Sequence, residues 1–136
     1  MRGIYVLVFE VEEKEVSVGS LGKLRFSGTY AYVGSAQTSI EKRLSRHLSG
    51  KKRKWWHIDY LYPMDVIEAY AMELPKEKEE ELANFLEKKF EVIPKFGSSD
   101  SKAKGHLFKI DDREELKRSL CEFSKNQGVK LVSISL

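Results

Sequence analysis

Two short segments rich in β-branched and aromatic residues constrain the fold of this chain more than any other feature. Residues 3–10, GIYVLVFE, and residues 28–34, GTYAYVG, each have the composition of a β-strand. Between them, residues 11–26 alternate in polarity and contain Gly19 and Gly22, which predicts a hairpin that turns at the glycines. Strands that return on each other in this way favour an antiparallel sheet.

A helix is predicted directly after the second strand. Thr38 or Ser39 can cap its N-terminus, because a hydroxyl there accepts a hydrogen bond from an otherwise unsatisfied backbone amide. Its buried stripe is formed by residues at helical spacing: Ile40, Leu44 and either His47 or Leu48.

The second half of the chain alternates strands and helices. After a helical turn at residues 56–62, residues 65–74 predict a third strand. A helix then opens at Pro75, with an apolar stripe that includes Leu82, Phe85, Leu86 and Phe90. Short strands at residues 92–95 and 106–110, a last helix capped by Asp111 or Asp112, and a terminal strand at residues 130–136 complete the prediction.

The predicted fold is α/β of the α+β kind, with a small, mainly antiparallel central sheet flanked by helices. A chain of 136 residues with 41% hydrophobic residues suits one packed domain over residues 1–136. We expect a core at residues 1–90, a hairpin inserted at residues 11–27, and a strand-helix-strand extension at residues 91–136.

The composition excludes several classes of protein. Cys121 is the single cysteine, so neither an intramolecular disulfide nor a cysteine-based zinc site is possible. We expect Cys121 to be a buried thiol on the apolar face of the last helix. No apolar run approaches the roughly 20 residues that span a bilayer, and the start of the chain enters a strand pattern without a signal peptide. These features predict a cytoplasmic protein with no membrane partner.

Positive charge is concentrated in one segment. The net charge of the chain is +3, but between Ser35 and His57 there are seven bases and one acid, whereas the rest of the chain carries 17 bases and 20 acids. Bases beside aromatic rings are typical of nucleic-acid contact. The candidate contact residues are Lys42, Arg46, Lys51, Lys52, Arg53, Lys54, Trp56 and His57. The alternative is a solvated helix face followed by a lysine-rich loop.

The two strands and the helix also carry a recognisable pattern. Residues 3–5, GIY, followed by residues 32–48, YVGSAQTSIEKRLSRHL, resemble the GIY-YIG nuclease superfamily. The chain is most similar to the small, single-domain Uri-type endonucleases of archaea and bacteria. The WHIDYL segment at residues 56–61 and the GSSD…HLF segment at residues 97–108 match that group.

The resemblance implies a metal-dependent endonuclease that hydrolyses DNA phosphodiester bonds in repair or processing, with Mg²⁺ or Mn²⁺ as cofactor. It implies that Tyr5 is the general base or positions the nucleophilic water, and that Tyr32 hydrogen-bonds near the scissile phosphate. Arg43 would hold the phosphate charge in a forked geometry. His47 would assist proton transfer or brace Tyr5. The motif glycines, Gly3 and Gly34, would be structural.

Two features depart from the family pattern. The chain has 26 residues between Tyr5 and Tyr32, more than the family usually has, and the inserted hairpin explains the excess. The family's metal-binding glutamate aligns with Ala83, so the metal ligand is open, with candidates at Glu81, Glu79, Asp59 and Asp100. Since a phenol with an ordinary pKa is a poor base at neutral pH, a base role for Tyr5 requires Arg43 or a metal to lower that pKa.

Each site residue also has a structural interpretation. Tyrosines in apolar strands are usually core residues, and His47 can serve in helix-end packing. The polar residues Ser98, Ser99, Asp100 and His106 either contact substrate or form an ordinary turn. A second function therefore stays open, a non-catalytic nucleic-acid-binding module that kept the nuclease fold but lost the metal carboxylate.

Overall fold

The computed structural model describes residues 1–49, 57–98 and 101–135 of the chain. Within those ranges there are six strands: β1 (Gly3–Ser17), β2 (Lys23–Ala36), β3 (Asp65–Met72), β4 (Glu91–Ile93), β5 (Leu107–Lys109) and β6 (Val132–Ser133). Three α-helices accompany them: α1 (Ile40–Ser49), α2 (Glu77–Glu87) and α3 (Arg113–Asn126). Two short 3-10 helices lie at Gly19–Leu21 and His57–Leu61.

The described strands form one open sheet in the order β4-β5-β2-β1-β3-β6, in which every neighbouring pair is antiparallel. This confirms the predicted α+β fold with an antiparallel sheet. The strands after residue 90 complete both edges, because β4 and β5 extend the sheet beyond β2 whereas β6 pairs with β3.

The predicted inserted hairpin is a continuation of the two motif strands. β1 and β2 pair from Gly3 opposite Ala36 to Ser17 opposite Lys23, with a register shift between Val11 and Lys14. The alternation of apolar and polar residues persists through this stretch. The strands therefore continue past residue 11, where the insertion was predicted to begin. The Gly19–Leu21 turn closes the hairpin, and the positive φ angle of Gly19 is one that glycine adopts without strain.

Alternating side chains of β1 face two different layers. Ile4, Val6 and Val8 pack with apolar residues of α2 and α3 on one face of the sheet. Tyr5, Leu7 and Phe9 belong to the core of the other face, which α1 and the His57–Leu61 helix cover. Side chains of a strand alternate between the two faces of the sheet. Because Ile4 and Val6 face α2 and α3, Tyr5 between them faces α1.

Side-chain caps define two of the helix starts. The Ser39 hydroxyl accepts a hydrogen bond from the Lys42 amide at 3.1 Å, so Ser39 rather than Thr38 caps α1. Asp112 caps α3 by accepting hydrogen bonds from the amides of Glu114 and Glu115. α2 begins at Glu77, two residues after Pro75.

The predicted burial of Cys121 is wrong, because its thiol is exposed. The apolar stripe of α3 contains Leu116, Leu120 and Phe123, and these side chains are buried. Cys121 follows Leu120 and is turned about 100° from it around the helix axis, which carries the thiol off the stripe. Among the described helices, none is long and apolar enough to cross a bilayer.

Candidate active site

Strand pairing brings the two predicted motifs together. Tyr5 of β1 lies opposite Gly34 of β2, and Leu7 lies opposite Tyr32. Tyr5 and Tyr32 are therefore diagonal neighbours on the α1 face, with ring centroids 6.4 Å apart. Both side chains are buried, with 1% of Tyr5 and 6% of Tyr32 exposed.

Gly34 leaves the space that the Tyr5 ring occupies. A Cβ atom at this position would lie 2.9 Å from Cε1 of Tyr5 and would collide with its hydroxyl. Gly3 is restricted in another way, since a Cβ there would collide with the backbone carbonyl of Met72 on β3. Both motif glycines thus allow close approach within the sheet.

His47 is the residue of α1 that reaches the tyrosines. Its side chain is wholly buried, and its Nε2 lies 3.0 Å from the hydroxyl of Tyr5. The imidazole ring is also 6.2 Å from the ring of Tyr32, edge to face. At the end of α1 it is His47 that packs against the sheet, whereas Leu48 is 48% exposed. This packing places the imidazole against Tyr5.

Arg43 lies one helical turn before His47 and on the same side of α1. Its Nη1 donates a hydrogen bond of 3.0 Å to the carbonyl oxygen of Ser35, just past the second motif. The guanidinium also hydrogen-bonds Tyr5, and the side chain is half-buried. Two strands and one helix therefore bring the four predicted catalytic residues together: Tyr5, Tyr32, Arg43 and His47.

Burial controls the ionisation of the tyrosines. It raises the pKa of Tyr5 well above the ordinary value, and the charge and hydrogen bond of Arg43 offset only part of that increase. Burial also raises the pKa of Tyr32, and the neighbouring Tyr5 adds to the effect. Arg43 therefore lowers the pKa of Tyr5 less than burial raises it, and Arg43 alone does not meet the condition stated above for a base role. Tyr5 is a protonated phenol at neutral pH and is suited to positioning a nucleophile.

The predicted basic contact residues divide into three groups. Lys42 is exposed on α1. Arg46 turns inward and forms a forked pair with the buried Asp59, with its Nη1 and Nη2 at 3.1 and 2.9 Å from the two carboxylate oxygens. The third group lies outside the described residues: Lys51, Lys52, Arg53, Lys54 and Trp56. The guanidinium of Arg46 is thus paired with a carboxylate of the protein, and its contact with nucleic acid stays a prediction.

His57 is half-buried at the start of its 3-10 helix. Its Nδ1 accepts a hydrogen bond of 2.8 Å from the Gly97 amide, and burial lowers its pKa. Both observations favour a neutral imidazole. His57 packs against Phe96 with ring centroids 5.5 Å apart.

Phe96 is a site residue that sequence reasoning missed. It is fully buried and lies edge to face with Tyr32 at 6.3 Å, so it separates Tyr32 from His57. No motif includes it, and a phenylalanine before Gly97 has no pattern that would have indicated this contact.

The candidate metal ligands within the described residues are each paired with another side chain. Asp59 gives both of its oxygens to Arg46. Glu79 lies against His106, with 3.0 Å between Oε1 and Nδ1. Glu81 is exposed and pairs with Lys78. Asp100 lies outside the described residues, and within the rest no three His, Cys, Asp or Glu side chains group to hold a metal ion.

The position aligned with the family's glutamate does not supply a carboxylate either. Ala83 is buried in the core formed by α2, α3 and the opposite face of the sheet. The side chain there packs against apolar neighbours, so a register shift of α2 would be needed to bring a glutamate to the same place.

Fold and site together define a class: α+β proteins with an open antiparallel sheet and a Tyr-Tyr-Arg-His cluster at the paired ends of two central strands. The chain belongs to the DUF123 family, described as a domain of unknown function, whose profile matches residues 4–129. No curated protein and no solved structure matches the chain.

Proposed function

We propose that the chain is a Uri-type member of the GIY-YIG nuclease superfamily, a cytoplasmic endonuclease that hydrolyses DNA phosphodiester bonds. The proposal rests on a cluster of four side chains that come from two strands and a helix and lie around Gly34. They are Tyr5, Tyr32, Arg43 and His47. Hydrolysis of a phosphodiester needs a positioned water and a positive charge on the phosphoryl oxygens, and these side chains can provide both.

Arg43 is the residue suited to hold the phosphate. Its guanidinium is half-buried, which strengthens its attraction for an anion relative to a fully solvated charge, and it presents donors in a fixed fork. The hydrogen bond to the Ser35 carbonyl fixes its orientation. Tyr32 would donate a hydrogen bond to a phosphoryl oxygen, since its raised pKa keeps it protonated.

Tyr5 and His47 form a pair that can move a proton. The Tyr5 hydroxyl can donate its proton to Nε2 of His47 while it accepts one from an attacking water, since the two atoms are 3.0 Å apart. Such a relay avoids a standing phenolate, which the burial of Tyr5 disfavours. His47 is then the proton acceptor and Tyr5 the group that orients the water.

The assay includes a divalent cation, Mg²⁺ or Mn²⁺, but no step of the proposed reaction is assigned to it. The candidate carboxylates within the described residues are each paired with another side chain, so the roles above are assigned without a cation. The purified chain should be incubated with single-stranded, duplex and branched DNA in Mg²⁺, in Mn²⁺ and in a chelator.

The decisive variants remove single groups. We expect Tyr5→Phe and Arg43→Lys to lower the cleavage rate by on the order of 100-fold or more, because each removes an interaction made with the reacting groups. The matched control is Tyr30→Phe, which removes a buried hydroxyl of β2 that lies outside the cluster and accepts a hydrogen bond from the Ser27 amide. Wild-type cleavage by Tyr5→Phe and Arg43→Lys would overturn the assignment.

A second function, nucleic-acid binding without cleavage, is supported by specific observations. Both motif tyrosines are nearly inaccessible, and the described candidate carboxylates are engaged by other side chains. This function predicts salt-sensitive DNA binding in a fluorescence anisotropy assay with intact DNA in every metal condition. Cleavage that Tyr5→Phe abolishes would exclude it.

A further inference from the structure

A second cluster of reactive side chains lies on the α2 side of the sheet. Ser101, His106 and Glu79 are joined in a line: the Ser101 hydroxyl is 3.1 Å from Nε2 of His106, and Nδ1 of His106 is 3.0 Å from Oε1 of Glu79. Ser101 lies in the loop after β4, His106 immediately before β5, and Glu79 in the first turn of α2. This order of serine, imidazole and carboxylate is the arrangement that activates a serine nucleophile.

The surroundings of His106 fix which ring nitrogen carries the proton. Nδ1 faces two acceptors, the Glu79 carboxylate at 3.0 Å and the carbonyl oxygen of Val33 at 3.3 Å. Nδ1 must therefore be the donor, and in the neutral ring Nε2 is left as the acceptor. The Ser101 hydroxyl consequently donates to Nε2, which is the polarity that a general base requires.

The backbone holds this arrangement in place. The His106 amide donates to the Phe96 carbonyl at 2.7 Å, and the His106 carbonyl accepts from the Val33 amide at 2.9 Å. The Ser101 hydroxyl oxygen accepts a hydrogen bond from the Ala103 amide at 3.1 Å. His106 is 1% exposed, so its ring is fixed by packing as well as by hydrogen bonds.

The cluster opens into a cavity of about 180 Å³. The wall of this cavity contains both the serine and the imidazole together with charged residues at the start of α2: Lys76, Glu77, Glu79, Glu80, Ser101 and His106. A small molecule that enters the cavity is placed among these wall residues, with one cation and several carboxylates around it.

We propose that Ser101, His106 and Glu79 form a hydrolytic site for small carboxylic esters. Ser101 Oγ attacks the ester carbonyl while its proton passes to Nε2 of His106. The carbon–oxygen bond to the alcohol breaks, and His106 returns that proton to the departing oxygen. Water then attacks the acyl-serine and gives one proton to His106, which restores it to Ser101 as the acid leaves. The net reaction converts ester and water into acid and alcohol.

The remaining wall residues define the substrate class. Lys76 is the one cation among the wall residues, and a cation can offset the negative charge that develops on the substrate oxygen. Glu77 and Glu80 disfavour an anionic acyl group, so neutral or cationic esters fit better than negatively charged ones. The cavity volume restricts the acyl portion to a short chain.

The experiment measures covalent labelling of the full chain and its hydrolysis of an ester substrate. Nucleic acid is left out, so the outcome does not depend on nuclease activity. A fluorophosphonate probe should label wild type at one residue, and peptide mass spectrometry should place the label on Ser101. Wild type should also hydrolyse p-nitrophenyl acetate. Ser101→Ala should abolish both, and Glu79→Gln should slow both by on the order of 100-fold or more.

The matched control is Ser135→Ala, which removes an exposed hydroxyl near the C-terminus and should react as wild type does. Circular dichroism confirms that each variant is folded. The proposal is overturned if the folded wild type is not labelled at Ser101, or if Glu79→Gln reacts at the wild-type rate.

Discussion

The hydroxyl of Tyr5 lies 3.0 Å from Nε2 of His47, a hydrogen-bonding contact between two buried residues that are 42 positions apart in the chain. It joins the first strand of the sheet to the helix that follows the second. A buried hydroxyl and a buried imidazole nitrogen each need a hydrogen-bond partner, and here the Tyr5 hydroxyl and Nε2 of His47 are partners of each other.

The first prediction concerns the ionisation of Tyr5. Burial raises its pKa and Arg43 offsets only part of the increase, so the phenol should stay protonated near pH 10, where an exposed tyrosine titrates. Phenolate absorbance of folded wild type and Tyr5→Phe should therefore coincide up to about pH 10.5. The raised folded pKa stabilises the protein below the ordinary tyrosine pKa, and this stabilisation is lost as the pH rises toward the folded value. A wild-type excess of one phenolate near pH 10 would contradict the assignment.

The second prediction concerns Gly34. Gly34→Ala should lower the free energy of unfolding by about 1–3 kcal/mol, because the new methyl group overlaps the Tyr5 ring. The same change in a Tyr5→Leu background should cost much less, since the colliding ring atoms are gone. Urea denaturation of the four proteins of this double-mutant cycle measures the difference. Gly128→Ala is the control: a Cβ there meets no atom within 4 Å, so its cost should not depend on Tyr5.

The third prediction separates two bases of α1. Lys42 is exposed, so Lys42→Ala should reduce the slope of log binding constant against log salt by about 0.9 if Lys42 contacts a DNA phosphate. Arg46 pairs with the buried Asp59, so Arg46→Met should instead lower the free energy of unfolding by roughly 3 kcal/mol. Salt titrations of DNA binding and urea denaturation test the two variants. An Arg46→Met protein of wild-type stability with a reduced salt slope would show that the pair is not formed.

The fourth prediction concerns stability in acid. Burial raises the pKa of Glu68, but hydrogen bonds from Tyr70 at 2.7 Å and Arg113 at 2.6 Å outweigh it and hold the pKa below its ordinary value. A lowered folded pKa gives stability that is present above the ordinary glutamate pKa and is lost as the pH falls through the folded value. Glu68→Gln should therefore lose less stability than wild type between pH 5 and about pH 3 in urea denaturation. Parallel losses in the two proteins would rule out this contribution.

Features that depend on local periodicity were predictable from the sequence. The two-residue repeat of β1 and β2, joined by a hairpin, places Tyr5 and Tyr32 on one face. The spacing of Arg43 and His47 places both on one side of α1. These relationships follow from backbone geometry and do not require knowledge of the rest of the molecule.

Features that depend on distant partners were not predictable. The pairing of Arg46 with Asp59 and the contact of His106 with Glu79 join different elements, and side-chain type alone does not select such partners. The choice between His47 and Leu48 is of the same kind. Hydrophobicity favours burying leucine, but the Tyr5 hydroxyl offers a hydrogen-bond partner that only the imidazole can use.

The long hairpin of β1 and β2 also affects how copies of the chain meet. Its outer part, residues 12–17 and 23–27, extends beyond the last residues paired with β3 and β5, so it is a two-stranded ribbon. Such a ribbon could add a strand from a second copy, yet ion pairs cross it between Arg25 and Glu13 at 2.7 Å and between Lys23 and Glu15 at 4.0 Å. Docking another strand would strip water from these charges, so the ribbon is protected against edge-to-edge aggregation at high protein concentration.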